Sequence, residues 1–132
     1  MARWIGVDLD GTLAKQVVSN STTIGAPIVP MLNRVKQWLD NGQEVRIFTA
    51  RAGDTTQIEP IQRWLRHYGI GECAITDRKD IHMIELWDDK ARRVERDTGV
   101  ACRGCSSAKH SHGVNAMMYG PGAKHSDFEV DC

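Results

Sequence analysis

Apolar positions along this chain follow two different periods. Near the start, Trp4, Ile5, Gly6 and Val7 form an unbroken apolar run, the pattern of a strand buried on both faces. Residues 14–28 lose that pattern and are rich in Ser, Thr, Gly and Pro, which predicts a loop or flap. Pro30 then fits the first turn of a helix. Met31, Leu32, Val35, Trp38 and Leu39 recur at helical spacing, and Asn41-Gly42 supplies the stop. Val45, Ile47 and Phe48 alternate partly with polar neighbours and lead to Thr49, which predicts a second strand. Ile58, Ile61, Trp64, Leu65 and Tyr68 predict a second amphipathic helix, with Pro60 in its first turn and Gly69 as its stop. Cys73-Ala74-Ile75-Thr76 reads as a short third strand and residues 83–88 as a fourth.

Strands that alternate with helices predict an α/β fold: a doubly wound parallel sheet, helices on both faces, right-handed connections. At 132 residues the chain suits one domain with a real core. Periodicity fades after Gly99. The expected division is a catalytic core over residues 1–100 and an irregular tail over 101–132, rich in Cys, His and Gly.

Charge narrows the functions little. Lys and Arg together number 17, as do Asp and Glu, so net charge gives no argument for nucleic acid or membrane. No apolar run reaches the roughly 18 residues of a membrane span. The start, Met1-Ala2-Arg3-Trp4, leads directly into the first strand and leaves no room for a signal peptide. A soluble, cytoplasmic protein with no membrane partner is expected. In such a reducing compartment the four cysteines, Cys73, Cys102, Cys105 and Cys132, read as thiols or metal ligands rather than disulfides.

The chemistry concentrates where strands should end. Asp8-Leu9-Asp10-Gly11-Thr12-Leu13 follows the first strand directly, and Asp88-Asp89 ends the fourth. In a parallel sheet the C-terminal strand ends share one edge, where ligands bind. Three or four carboxylates gathered there repel one another unless a cation joins them, and a hard, oxygen-seeking ion such as Mg²⁺ suits them. Asp8 is placed to attack phosphorus and form an aspartyl-phosphate. Asp10 is placed to protonate the leaving oxygen and later to activate water. Gly11 lets the backbone turn sharply, and Thr12 caps that turn or bonds a ligand.

Asp8-Leu9-Asp10-Gly11-Thr12-Leu13 resembles the first motif of the haloacid dehalogenase (HAD) superfamily of phosphohydrolases. Ile47-Phe48-Thr49-Ala50-Arg51 resembles its second motif, Lys79 within Asp77-Arg78-Lys79-Asp80 its third, and Leu86-Trp87-Asp88-Asp89 its acidic fourth. All four stand in family order, and the match spans roughly residues 3–99. The resemblance implies a Mg²⁺-dependent phosphomonoester hydrolase with Asp8 as nucleophile and metal ligand. Asp10 would be the general acid/base, its carbonyl on the metal. Thr49 would bond the transferring phosphoryl oxygen, and Lys79 would offset its charge and hold Asp8. Asp88 would ligate Mg²⁺ directly, and Asp89 would do so through water or serve as support. Amides near Gly11 and Thr12 and at Ala50 would cradle phosphate oxygens. Arg51 either reaches substrate or closes a salt bridge.

Neither gap between the motifs has room for a folded cap. An open site suits a large phosphorylated partner, a nucleotide or nucleic-acid end, or a small substrate covered by a neighbouring subunit of a homo-oligomer. Two other readings keep the scaffold: a non-catalytic phosphate- and metal-binding regulatory module, and a phosphotransferase. Arg63, Arg66 and His67, and Arg92, Arg93 and Arg96, read as solvated faces or as a nucleic-acid groove. Trp4, Trp38, Trp64 and Trp87 read as core. In the tail, Cys102 and Cys105, with His110 and His112 and then His125 and Cys132, have spacings that suit either a structural Zn²⁺ site or a tail with free thiols.

Overall fold

The computed structural model describes residues 3–17 and 22–104. The chain divides into two compact units, Met1–Asp88 and Asp89–Cys132.

The first unit is an α/β fold around four parallel strands: β1 (Trp4–Val7), β2 (Glu44–Phe48), β3 (Ala74–Thr76) and β4 (Met83–Trp87), in the order β3-β2-β1-β4. The chain winds outward from β1 through β2 to β3, then returns to place β4 on the other side of β1. Strand order therefore reverses at β1, which makes the C-terminal ends of β1 and β4 the topological switch point. All four residues of β1 are buried because the strand has a neighbour on each side and side chains on both faces.

Two helices occupy the connections, α1 (Val29–Asp40) and α2 (Thr55–His67). Met31, Leu32 and Val35 of α1 and Ile61 and Leu65 of α2 join Ile5, Val7, Val45 and Ile47 in one core, so both helices cover the same sheet face. Each fully buried aliphatic side chain there contributes about 1.5–3 kcal/mol. α1 ends as expected, with Asn41 as cap and Gly42 at φ +83°, a conformation that favours glycine. α2 starts earlier than its apolar spacing predicts. Asp54 caps it, its Oδ1 accepting from the Thr56 amide at 2.9 Å. Pro60 consequently lies inside the helix rather than in its first turn and removes one main-chain hydrogen bond.

The other face is built from a different set of side chains. Within the first unit it is crossed by residues 77–82, the connection from β3 to β4, which contains no helix. Asp80 pins that connection. Its Oδ1 accepts from the Trp4 indole at 2.8 Å and the His82 amide at 2.8 Å, and its Oδ2 accepts from Arg46 at 3.3 Å. Arg46 lies 4.5 Å over the Trp4 ring, which stacks on Phe48. Gly6 leaves space for this layer: a Cβ there would stand 3.1 Å from the Trp4 ring and 3.3 Å from Leu86. Aromatic and guanidinium groups thus cover this face where a helix would otherwise do so.

In the second unit, residues 93–102 form a narrow antiparallel ladder. Val94 pairs with Ala101, Glu95 N–H donates to the Val100 carbonyl, and Cys102 N–H to that of Arg93. Asp97 and Gly99 turn the chain at positive φ. Cys102 is fully buried and disulfide-bonded, its partner outside the described residues. Cys102 thus departs from the expected thiol or metal ligand, whereas Cys73 is a free thiol, as expected. Cys105, His110 and His112, with His125 and Cys132, lie outside the described residues. No helix among the described residues is long and apolar enough to cross a membrane.

Candidate active site at the sheet edge

Asp8 and Asp88 reach the same sheet edge for a geometric reason. Val7 pairs with Trp87 in the parallel ladder, and the next Asp8 amide donates to the Trp87 carbonyl at 2.9 Å. The two aspartates are the next residues of adjacent strands. Asp89, next along the chain, opens the second unit. One carboxylate oxygen from each of Asp8, Asp88 and Asp89 lies within 4.8 Å of the other two.

That spacing has a cost. Like charges about 4 Å apart repel by roughly 4 kcal/mol at an effective dielectric near 20. The donor set fits a hard divalent cation. Three carboxylate oxygens are the hard, anionic donors that Mg²⁺ takes, with waters or substrate oxygens completing its shell.

The turn after Asp8 is built on the Leu9 carbonyl, which accepts from the amides of Thr12, Leu13 and Ala14. Gly11, at φ +89°, makes that turn feasible. The Thr12 hydroxyl consequently faces Asp8 and donates to its Oδ2 at 3.4 Å. Of the 14–28 excursion, the described ends pair like the base of a hairpin: Lys15 N–H donates to the Ala26 carbonyl and Ile28 N–H to that of Leu13. Trp64 of α2 ties its far side by donating to the Gly25 carbonyl at 3.0 Å.

Thr49 follows β2, the strand beside β1, and is buried. It caps a 3-10 turn, Ala50–Gly53, with its Oγ1 accepting from the Arg51 amide at 3.2 Å. The Ala50 amide is the first of that turn, where no intrahelical acceptor exists. Sequence periodicity gave no sign of this turn, although Thr49 followed by Arg51 and Asp54 is a capping pattern.

Arg51 forms a salt bridge, the second of its two readings. Its Nε and Nη2 donate to both oxygens of Asp10, at 2.9 and 2.8 Å. Nη2 also donates to the Thr23 carbonyl at 3.0 Å and Nη1 to Gln57 Oε1 at 3.3 Å. The pair is mostly shielded, with side-chain exposures of 14% and 20%. Asp10 therefore reaches the site with its carboxylate held by Arg51, outside the Asp8–Asp88–Asp89 group. Spacing along the sequence did not reveal Thr23 and Gln57 as partners, because both meet Arg51 only after folding.

Lys79 lies on the exposed connection between β3 and β4 and makes no ion pair or hydrogen bond among the described residues. The fold thus brings together Asp8, Thr12, Asp88 and Asp89 directly. Asp10 and Arg51 form a paired group attached to the Asp8 turn, Thr49 and Ala50 stand at the end of the neighbouring strand, and Lys79 does not contact Asp8.

No protein-family model matches this chain, and no curated protein matches it. Among solved structures, a conserved protein from Bacteroides thetaiotaomicron is similar at 15% identity, with a TM-score of 0.53, over 99% of this chain and 100% of that one. At that identity the likeness shows the α/β fold alone.

Proposed function

We propose that this chain is a capless, Mg²⁺-dependent phosphomonoester hydrolase of the haloacid dehalogenase type, acting through phosphorylation of Asp8. The observation that carries the reading is the meeting of Asp8 with Asp88 and Asp89 at the switch point of the sheet. Bound Mg²⁺ would screen the charge between the carboxylates and a phosphoryl group and orient that group.

Asp8 stands at the strand end, where a nucleophile of this type is placed, and the Thr12 hydroxyl on its Oδ2 helps orient it. Its other oxygen attacks phosphorus as the ester P–O bond breaks, and the leaving oxygen takes a proton from Asp10. In the second step Asp10 accepts a proton from water, water oxygen attacks phosphorus, and the Asp8–phosphorus bond breaks. The Arg51 fork uses one lone pair on each Asp10 oxygen and leaves the others for this proton. The buried Thr49 hydroxyl uses its oxygen for the Arg51 amide and keeps its proton for a phosphoryl oxygen. No folded cap interrupts β1, β2 and β3 among the described residues, which favours an exposed phosphate, such as a nucleotide or nucleic-acid end, or coverage by a second subunit.

A regulatory phosphate- and metal-binding module is the second reading, and the exposed Lys79 with no tie to Asp8 favours it. Release of phosphate from an aryl phosphate, with and without Mg²⁺, separates the two. Turnover that needs both Mg²⁺ and Asp8 supports the hydrolase. Binding of a phosphate analogue without turnover supports the module.

A further inference from the structure

We infer that Arg51 is a positioning residue for Asp10 and that it couples Asp10 to the main chain at Thr23, rather than receiving the phosphate of the substrate. The inference rests on the reading of Asp10 as the proton donor and acceptor of the hydrolase.

Three observations lead to it. The contact to Asp10 is bidentate, at 2.9 and 2.8 Å, and largely shielded from water. A planar fork of this kind fixes the rotation of the carboxylate as well as its place, which a single ammonium does not do. The same guanidinium donates to Thr23 and Gln57, so four N–H···O bonds hold it against three separate segments: the Asp8 turn, the excursion and α2. Its main chain is fixed as well, because the Arg51 amide donates to the buried Thr49 hydroxyl. A group held on so many sides has little freedom to swing onto a substrate, and it sets where the Asp10 oxygens stand.

Thr23 adds the coupling. Its carbonyl shares Nη2 with Asp10 Oδ1, so one nitrogen links the excursion to the proton-transfer group. A shift of the Thr23 carbonyl changes the position of that nitrogen and with it the aim of Asp10. A misplacement of about 1 Å in such a group can cost on the order of 100-fold in rate.

The test compares two substrates that differ in their need for a proton. The nitrophenolate of 4-nitrophenyl phosphate departs with little help, whereas the phenolate of phenyl phosphate depends on protonation. Rates would be measured with Mg²⁺ for wild type, Asp10→Asn, Arg51→Ala, Arg51→Lys and the Asp10→Asn/Arg51→Ala double variant, with circular dichroism of each. General acid–base catalysis contributes typically about 10²–10⁴-fold. Arg51→Ala is expected to lower kcat for phenyl phosphate by about 10- to 100-fold and that for 4-nitrophenyl phosphate much less, with KM little changed. Arg51→Lys, which keeps charge and loses the fork, should show the same selectivity more weakly. Adding Arg51→Ala to Asp10→Asn should have no further effect.

An equal loss on both substrates, a change confined to KM, or additive losses in the double variant would overturn the inference and leave the hydrolase reading standing. If Arg51→Ala fails to fold, the Arg51→Lys selectivity decides alone. Wild type without Asp8-dependent turnover of either substrate would overturn both.

Discussion

Asp8 and Asp80 are the same residue type near opposite ends of β1, and the groups gathered around them differ. Asp80 sits among donors at the start of β1: the Trp4 indole, the His82 amide and Arg46. Those bonds, the Trp4 one foremost, hold its carboxyl below the ordinary value of 3.8. Asp8 sits at the end of β1 within 4.8 Å of two more carboxylates. One aspartate is placed where its charge stabilises the fold, the other where like charges have been gathered. Asp10 stands between these cases, since its charge is matched by Arg51 while its position belongs to the Asp8 turn. The lesson is that a carboxylate's role is read from the sign of its neighbours rather than from its burial.

Substitutions should separate the two groups. The largest effect is expected at Asp88→Asn. Changes to the outer shell of metal sites already cost about 10–100-fold, so a direct ligand should cost at least 100-fold in Mg²⁺-dependent turnover. Its melting midpoint should stay within about 3 °C of wild type, because Asp88 lies at a partly exposed edge outside the core. Thermal melts and rates on the same preparation check this. A collapse of the fold would mean that Asp88 is structural like Asp80.

Mg²⁺ itself should come next. Added at about 100 times its dissociation constant, it should stabilise wild type by about 2.7 kcal/mol and Asp88→Asn far less. An equal gain in both proteins would place the ion elsewhere.

Asp80→Ala should show the reverse pattern, with a melting midpoint several degrees lower and little loss of turnover. The pH dependence follows from the lowered carboxyl. A depressed folded pKa contributes stability that is present above the unfolded value near 3.8 and lost as pH falls through the folded one. The gap between wild type and Asp80→Ala should therefore be full at neutral pH and narrow below about pH 4. A gap that widens in acid would contradict the assignment.

The smallest effect is expected at Arg63→Ala. Its pairing with Glu59 lies on an exposed helix face, and such pairs contribute about 0.3–0.5 kcal/mol. Urea unfolding should barely distinguish the variant. A loss of nucleic-acid binding there would instead revive the groove reading of Arg63, Arg66 and His67.

Much of the fold was legible because local pattern and tertiary role agree. The apolar run at Trp4–Val7, the helical spacing of Met31, Leu32 and Val35, and the Asn41-Gly42 stop all appear as read. The missed features depend on contacts distant in sequence. The helix-free crossing at 77–82 is held by Trp4, whose indole meets Asp80 across 76 positions. The early start of α2 was legible in Asp54 and Thr56, but the apolar spacing outweighed the cap. At the site, the carboxylates were legible because each ends a strand. The Arg51 bond to Asp10 spans 41 positions and joins two loops whose approach only folding sets. Cys73 completes the contrast among the cysteines: buried, with its thiol raised by desolvation to about 12, it is core rather than chemistry.

The most direct test of the central claim is mass analysis of protein quenched in acid during Mg²⁺-dependent turnover of an aryl phosphate. The account predicts a phosphoryl adduct on the peptide that carries Asp8, absent without Mg²⁺, together with loss of turnover in Asp8→Asn. Phosphate release by Asp8→Asn at the wild-type rate, with no adduct on that peptide in wild type, would contradict it.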